Sequence, residues 1–211
     1  CCDPDIAIKV EKDEPIRECL TCNKGCVDAI SSRRYISCVL NAENGDEATI
    51  SIKPAEEKKN VVIIGAGNRG RMFARFAKTY NDNIKVVGVS DILESRCNNI
   101  ADQHNVPKEN RFGHFREVFE RPKMADAVII ATPDDRHYEP CMKALELGYD
   151  VLLEKPAAPT EKECREILKQ SEKTGRIVAI CHVLRYSPYF IAMKSVVDSG
   201  AIGDIVSVQH M

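Results

Sequence analysis

The sequence predicts an α/β fold, a doubly wound parallel sheet with helices on both faces. From Lys59 onward, short β-branched runs alternate with amphipathic stretches, the pattern of successive βαβ units. These runs are continuously apolar rather than alternating, as strands covered on both faces should be. A glycine-rich turn, Gly65-Ala66-Gly67-Asn68-Arg69-Gly70, closes the first run and opens a helix.

Val61 to Gly65 is the first predicted strand, Lys85 to Ser90 the second, and Arg111 to Gly113 a weaker third. Ala127 to Thr132, Asp150 to Glu154 and Ile177 to Cys181 complete a sheet of expected order 3-2-1-4-5-6. Between them Met72, Phe73, Phe76, Ala77 and Tyr80 fall on one helical face, as do Cys141, Ala144 and Leu145, and then Cys164, Ile167 and Leu168. Those faces are expected to dock on the sheet. Thr160 with Glu163 three residues on makes a capping box, and Gly148 and Gly175 stand where helices take a left-handed C-cap. After Cys181 a helix from Ser187 to Asp198, a turn over Gly200 to Gly203 and a strand from Ile205 to His210 are expected. That last strand would be an unpaired edge, so the second domain reads as truncated.

Three regions follow. Residues 1–57 form a cysteine-rich segment ending in a polar linker (Asn41, Asn44-Gly45, Glu56-Glu57-Lys58-Lys59), residues 58–185 the doubly wound domain, and residues 186–211 the start of a second, α+β domain. Residues 1–57 carry 12 acids and 7 bases, against 20 acids and 23 bases for the remainder, which suits two segments of different origin.

The formal net charge of -2 offers neither a basic surface for nucleic acid nor a polybasic membrane face. The longest apolar runs, such as Val61 to Ala66, fall far short of the roughly 18 residues that span a bilayer. The chain opens Cys-Cys-Asp-Pro, without a signal-peptide pattern, and is expected to be cytoplasmic and a piece of a longer polypeptide.

Each glycine of the turn has a physical task. Gly65 permits the sharp turn, Gly67 lets a pyrophosphate approach the backbone, and Gly70 lets helix and strand pack closely, while the helix N-terminus offers amide donors. Asn68 and Arg69 complete the loop. Asp91 lies 21 residues beyond Gly70, at the tip of the second strand, where its carboxylate can accept from both ribose hydroxyls. Its charge would repel a 2′-phosphate, so NAD is expected in preference to NADP, with Arg96 as the counter-signal. This is a Rossmann-like site; the bland alternative is a glycine turn and a solvated aspartate.

The fourth strand ends Ala131-Thr132-Pro133, with His137 following, and the fifth ends Glu154-Lys155-Pro156. Ligands of open α/β sheets bind at this carboxyl edge, so Thr132, Pro133, His137, Glu154 and Lys155 are expected around the cofactor. A lysine partly withdrawn from water could move a proton as hydride transfers or polarise a substrate oxygen, which makes Lys155 the catalytic candidate. Alternatives are a surface lysine for Lys155, a helix-start residue packing the loop for His137, and for Glu154 either a pair with Lys155 or a role in orienting the turn.

Through Gly65-Ala66-Gly67-Asn68-Arg69-Gly70, Ala131-Thr132-Pro133-Asp134 with His137, Glu154-Lys155-Pro156, Arg185-Tyr186-Ser187-Pro188 and Gly200-Ala201-Ile202-Gly203-Asp204, residues 60–211 resemble the Gfo/Idh/MocA oxidoreductases. The resemblance implies hydride transfer between a nicotinamide and a sugar, cyclitol or related polyol, with Lys155 catalytic. His182 and Arg185 are candidates for the substrate side. Family members carry a further Asp and His in the substrate domain, beyond the stretch this chain matches.

Six of the ten cysteines crowd into the first 38 residues. Cys19-x2-Cys22-x3-Cys26-x11-Cys38 suits an iron-sulfur cluster first and a structural zinc second, with disulfides disfavoured in a reducing compartment. Asp3-Pro4-Asp5, Ile16-Arg17-Glu18-Cys19, Cys22-Asn23-Lys24-Gly25-Cys26 and Cys38-Val39-Leu40-Asn41 resemble the stretch after the flavin barrel in old-yellow-enzyme-type reductases of the dienoyl-CoA reductase and trimethylamine dehydrogenase group. There four cysteines hold a [4Fe-4S] cluster, which implies a flavin-domain electron partner. The whole then reads as a fusion seam between two enzyme types. An NAD-dependent oxidoreductase is the leading reading; a non-catalytic NAD-binding module and a redox-neutral NAD-dependent glycosidase are the rivals. Association into a homo-oligomer is expected through the substrate-domain sheet.

Overall fold

The protein, a computed structural model, is described over residues 6–14, 16, 26–31 and 56–209. Two short helices, α1 (Ile6–Glu11) and α2 (Val27–Ser31), precede the sheet. Six parallel strands follow: β1 (Lys59–Ile64), β2 (Ile84–Ser90), β3 (Arg111–Phe112), β4 (Ala127–Ile130), β5 (Asp150–Leu153) and β6 (Val178–Ile180). Their order is β3-β2-β1-β4-β5-β6, the doubly wound order expected from the sequence. The helices α3 (Asn68–Thr79), α4 (Glu94–Gln103), α5 (Phe115–Phe119), α6 (Tyr138–Glu146) and α7 (Glu161–Thr174) wind around it.

Side chains of a strand alternate between its two faces, and here both faces are core. Val61 and Ile63 of β1 pack with Ala74 and Ala77 of α3 and with Cys97, Ile100 and Ala101 of α4. Val62 and Ile64 pack on the opposite side with Val118 and Phe119 of α5, with Cys141, Ala144 and Leu145 of α6, and with Ile167 of α7. The continuous apolar runs therefore have their expected cause. Winding reverses between β1 and β4, and the crevice at their carboxyl ends lies at this switch point.

Two expected helix faces are corrected. On α3, Ala77 and Phe73 dock as expected, but Met72 and Phe76 are exposed, and Gly70 and Ala74 are buried beside Ala77. Small side chains let the helix lie close against β1, whereas the large ones could dock only by holding it away; Phe76 stacks on Tyr80 at 4.5 Å instead. Similarly, Leu168 of α7 is exposed while its neighbour Ile167 is buried. The caps are as expected. Thr160 accepts from the Glu163 amide at 3.3 Å while its hydroxyl donates to the Glu163 carboxylate at 2.7 Å, and Gly148 (φ +81) and Gly175 (φ +65) are left-handed.

The chain divides into two compact units, residues 1–180 and 181–211. Described by itself, the second holds a 3-10 turn (Val183–Tyr186), which the sequence does not predict, and α8 (Pro188–Asp198), which it does. The strand expected from Ile205 is not formed over residues 205–209, which have no regular structure. A lone strand has no ladder partner for its amides and carbonyls, and propensity alone does not order it. No helix among the described residues is long and apolar enough to cross a membrane.

Candidate functional site

The site begins where β1 ends. Gly65 takes φ +93, and a Cβ there would meet the Ala131 carbonyl carbon and oxygen at 2.6 Å. Only glycine lets the chain turn at this place against the end of β4. At Gly70 a Cβ would lie 2.0 Å from the Gly65 carbonyl oxygen, so the first turn of α3 rests directly on the loop it follows. Gly67 differs from both: a Cβ there would meet no protein atom within 4 Å. Packing does not require glycine at position 67, and the space beside its backbone is open.

Gly67 caps α3 without a side-chain hydrogen bond, so the opening amides of the helix are offered outward as anion donors. Across the loop, Asp91 accepts from the Ala66 amide at 2.7 Å through one carboxylate oxygen and from the Leu93 amide at 2.8 Å through the other. Each oxygen keeps a second lone pair for a ribose hydroxyl. Amide donors at a helix start, an open backbone approach and a carboxylate beside them form a donor and acceptor set that fits a dinucleotide. Gly65, Gly67, Asn68, Arg69, Gly70 and Asp91 come together as the sequence predicts, but the Asn68 and Arg69 side chains are used internally. Asn68 accepts from Arg71.

Arg69 turns across to the next loop. Its Nε donates to Glu154 Oε1 at 2.5 Å, its Nη1 reaches Met72 Sδ at 3.2 Å, and the guanidinium lies 5.5 Å from the Phe73 ring centroid. Of the two expected roles for Glu154, a pair with Lys155 is not found; its other oxygen accepts from the Lys155 backbone amide at 3.2 Å. Lys155 itself is exposed at the carboxyl end of β5 rather than withdrawn from water. Its position at that edge is as expected; the anticipated burial is corrected.

His137, expected around the cofactor, is fully buried. Its Nδ1 lies 2.7 Å from the Pro156 carbonyl and its Nε2 2.9 Å from the Thr132 carbonyl, so the ring joins the loops after β4 and β5 from beneath. The alternative reading, a helix-start residue packing the loop, is the one the geometry favours: a ring with both nitrogens facing backbone carbonyls has none left for a ligand. Thr132 and Pro133 stay at the rim, the Thr132 hydroxyl donating to the Arg136 carbonyl at 3.0 Å. His182 and Arg185 lie in the second unit, both exposed.

Cys19, Cys22 and Cys38 fall outside the described residues, and Cys26 is a half-buried free thiol just before α2. Among the described residues no group of three or more His, Cys, Asp or Glu is arranged for a metal ion. Burial pushes the thiols of Cys97 and Cys141 up, Cys141 to about 12, so neither is a thiolate at neutral pH.

Known proteins share this fold and family. The chain is 30% identical over 147 residues to inositol 2-dehydrogenase 2 of Saccharopolyspora erythraea, covering 68% of this chain and 42% of that one. It is 54% identical over 98 residues to the bilirubin reductase of Mediterraneibacter gnavus, covering 46% of this chain and 15% of that one. The crystal structure of apo scyllo-inositol dehydrogenase from Lactobacillus casei has the same fold, with a TM-score of 0.63 at 22% identity over 72% of this chain and 44% of that one. The chain thus spans less than half the length of these relatives. Residues 59–182 match the family described as oxidoreductase, NAD-binding Rossmann fold, and the chain belongs to this Gfo/Idh/MocA oxidoreductase family.

Proposed function

We propose that this chain carries the nicotinamide half of an oxidoreductase that transfers hydride between NAD and a polyol such as an inositol or a related sugar. The observation that carries the reading is the meeting, at one carboxyl edge, of the open backbone at Gly67, the Asp91 carboxylate and the exposed Lys155. The inositol dehydrogenases among its relatives support the substrate class.

In this reading the amides opening α3 hold the pyrophosphate and Asp91 holds the adenosine ribose, favouring NAD over NADP. When bound, the nicotinamide accepts or returns the hydride. As the neutral amine Lys155 takes the proton of the substrate hydroxyl when hydride leaves, and as the ammonium it returns that proton in the reverse direction, tasks that need a side chain not already committed to a neighbouring acid. His137 ties the Thr132 and Pro156 carbonyls together and so holds the loop on which Lys155 stands. His182 and Arg185 serve the substrate side.

For residues 1–57 we infer a [4Fe-4S] segment on Cys19, Cys22, Cys26 and Cys38, serving a flavin-type electron partner. The cysteine spacing supports this.

The test is a fluorescence titration of the full chain with NADH, beside incubation with NAD and inositols while NADH formation is followed. Wild type should bind NADH, and D91A should bind it roughly 10-fold to 100-fold more weakly, the loss of one to two hydrogen bonds to a charged group. Equal affinity in D91A would remove the ribose assignment. Tight NAD retention without net NADH release would instead indicate redox-neutral chemistry.

A further inference from the structure

We propose that Arg69 is a positioning residue for Lys155: by occupying the buried carboxylate of Glu154, it keeps the adjacent lysine ammonium free to act on the substrate. This deepens the reading above and rests on it. Glu154 is the charged side chain that β5 buries at its carboxyl end, with 7% of it exposed against 37% for Arg69. A carboxylate so enclosed requires a cationic partner. The Arg69 guanidinium donates to one oxygen of this carboxylate, and the backbone amide of Lys155, the next residue and itself a cation, donates to the other.

The structure chooses Arg69. Its guanidinium is anchored by the 2.5 Å bond to Oε1, the contact with Met72 Sδ and the Phe73 ring, so little side-chain freedom remains to be lost. Among the described residues the Lys155 ammonium has no hydrogen-bond or ion-pair partner. Removing Arg69 leaves Glu154 to recruit another cation, and Lys155 is its neighbour in sequence. The lysine would then be turned down onto the carboxylate and lost to the crevice. The glycine loop thus contributes to the reaction twice, through its backbone to the cofactor and through this one side chain to the lysine.

The test reads Lys155 directly and needs no turnover. The full chain is labelled at pH 8 with an amine-reactive reagent, and modification of Lys155 is followed by mass spectrometry in wild type, R69Q, R69K, E154Q and R69Q/E154Q. In R69Q, labelling of Lys155 should slow about tenfold, because an ion pair worth about one pKa unit leaves about one tenth as much of the amine in its neutral, reactive form. R69K should retain much of the wild-type rate, and R69Q/E154Q should recover it fully, since no carboxylate remains to capture the lysine. A general distortion of the loop would not be repaired by the second substitution.

Unchanged labelling in R69Q, or a slow rate persisting in R69Q/E154Q, overturns the proposal. So does an R69Q chain that fails to fold while R69Q/E154Q folds, because Lys155 would then have failed to take over the buried charge. The same labelling repeated with saturating NADH separates the two readings. Protection of Lys155 in wild type supports its place beside the nicotinamide; absence of protection overturns that place while leaving the effect of Arg69 measurable.

Discussion

His104 shows how one side chain makes stability depend on pH. It closes α4, and its Nε2 is buried without a hydrogen-bond partner. Burial lowers its pKa below the ordinary histidine value, the positive charge of Lys78 adds to this, and a hydrogen bond to the Ala74 carbonyl opposes it. The folded state therefore favours the neutral ring more than the unfolded chain does. Its contribution is fully present above about pH 6.5 and is lost as pH falls through that unfolded value toward the lower folded one. Between pH 7.5 and pH 5, H104Q should lose less thermal stability than wild type, by about 2 °C or more in Tm. Equal losses measured by circular dichroism would show that another group sets the acid limit.

At the same scale, the places of Asp91 and the three glycines were legible from spacing because each is local to a strand, a turn and a helix. The partner of Arg69 was not legible. It is 85 residues away, and no local pattern links a glycine loop to the end of β5. His137 offered its position but not its use, since a histidine near a helix start looks the same whether its ring points to solvent or to two carbonyls.

Among the elements, α7 is the most completely written in sequence. Thr160 and Glu163 begin it, Gly175 ends it, and one apolar position, Ile167, anchors it. Loss of the cap in T160A should cost about 1 kcal/mol and lower Tm by roughly 2–4 °C, with T160S retaining most of the stability. A melting curve of T160A that overlays wild type would mean the helix start is held by packing alone. Helix α3 was harder to read. Its aromatic side chains drew the predicted face toward Met72 and Phe76, but closeness to the sheet is limited by side-chain size, and Gly70, Ala74 and Ala77 win that position. Helix α4 buries only Cys97, Ile100 and Ala101, too few apolar positions to stand out in the sequence.

For the whole molecule, the question is whether its first 57 residues carry a cluster. Protein purified without oxygen should contain about four iron and four acid-labile sulfide per chain, with a broad visible absorbance that bleaches on reduction. Substituting Cys22 or Cys38 should abolish both. Iron-free protein holding zinc, or no metal after reconstitution, would leave these residues a structural leader.

Sequence alone determined the parallel sheet, its 3-2-1-4-5-6 order and the dinucleotide loop. Period, apolar continuity and glycine placement act over a few residues, and right-handed crossovers leave few ways to connect them. Tertiary structure alone decided which face of α3 packs, that the strand expected from Ile205 does not form over residues 205–209, and that Glu154 pairs with Arg69 rather than Lys155. Each of these is a competition between groups distant in sequence for one position, one ladder or one charge, and such a competition is settled only when the chain brings the rivals together.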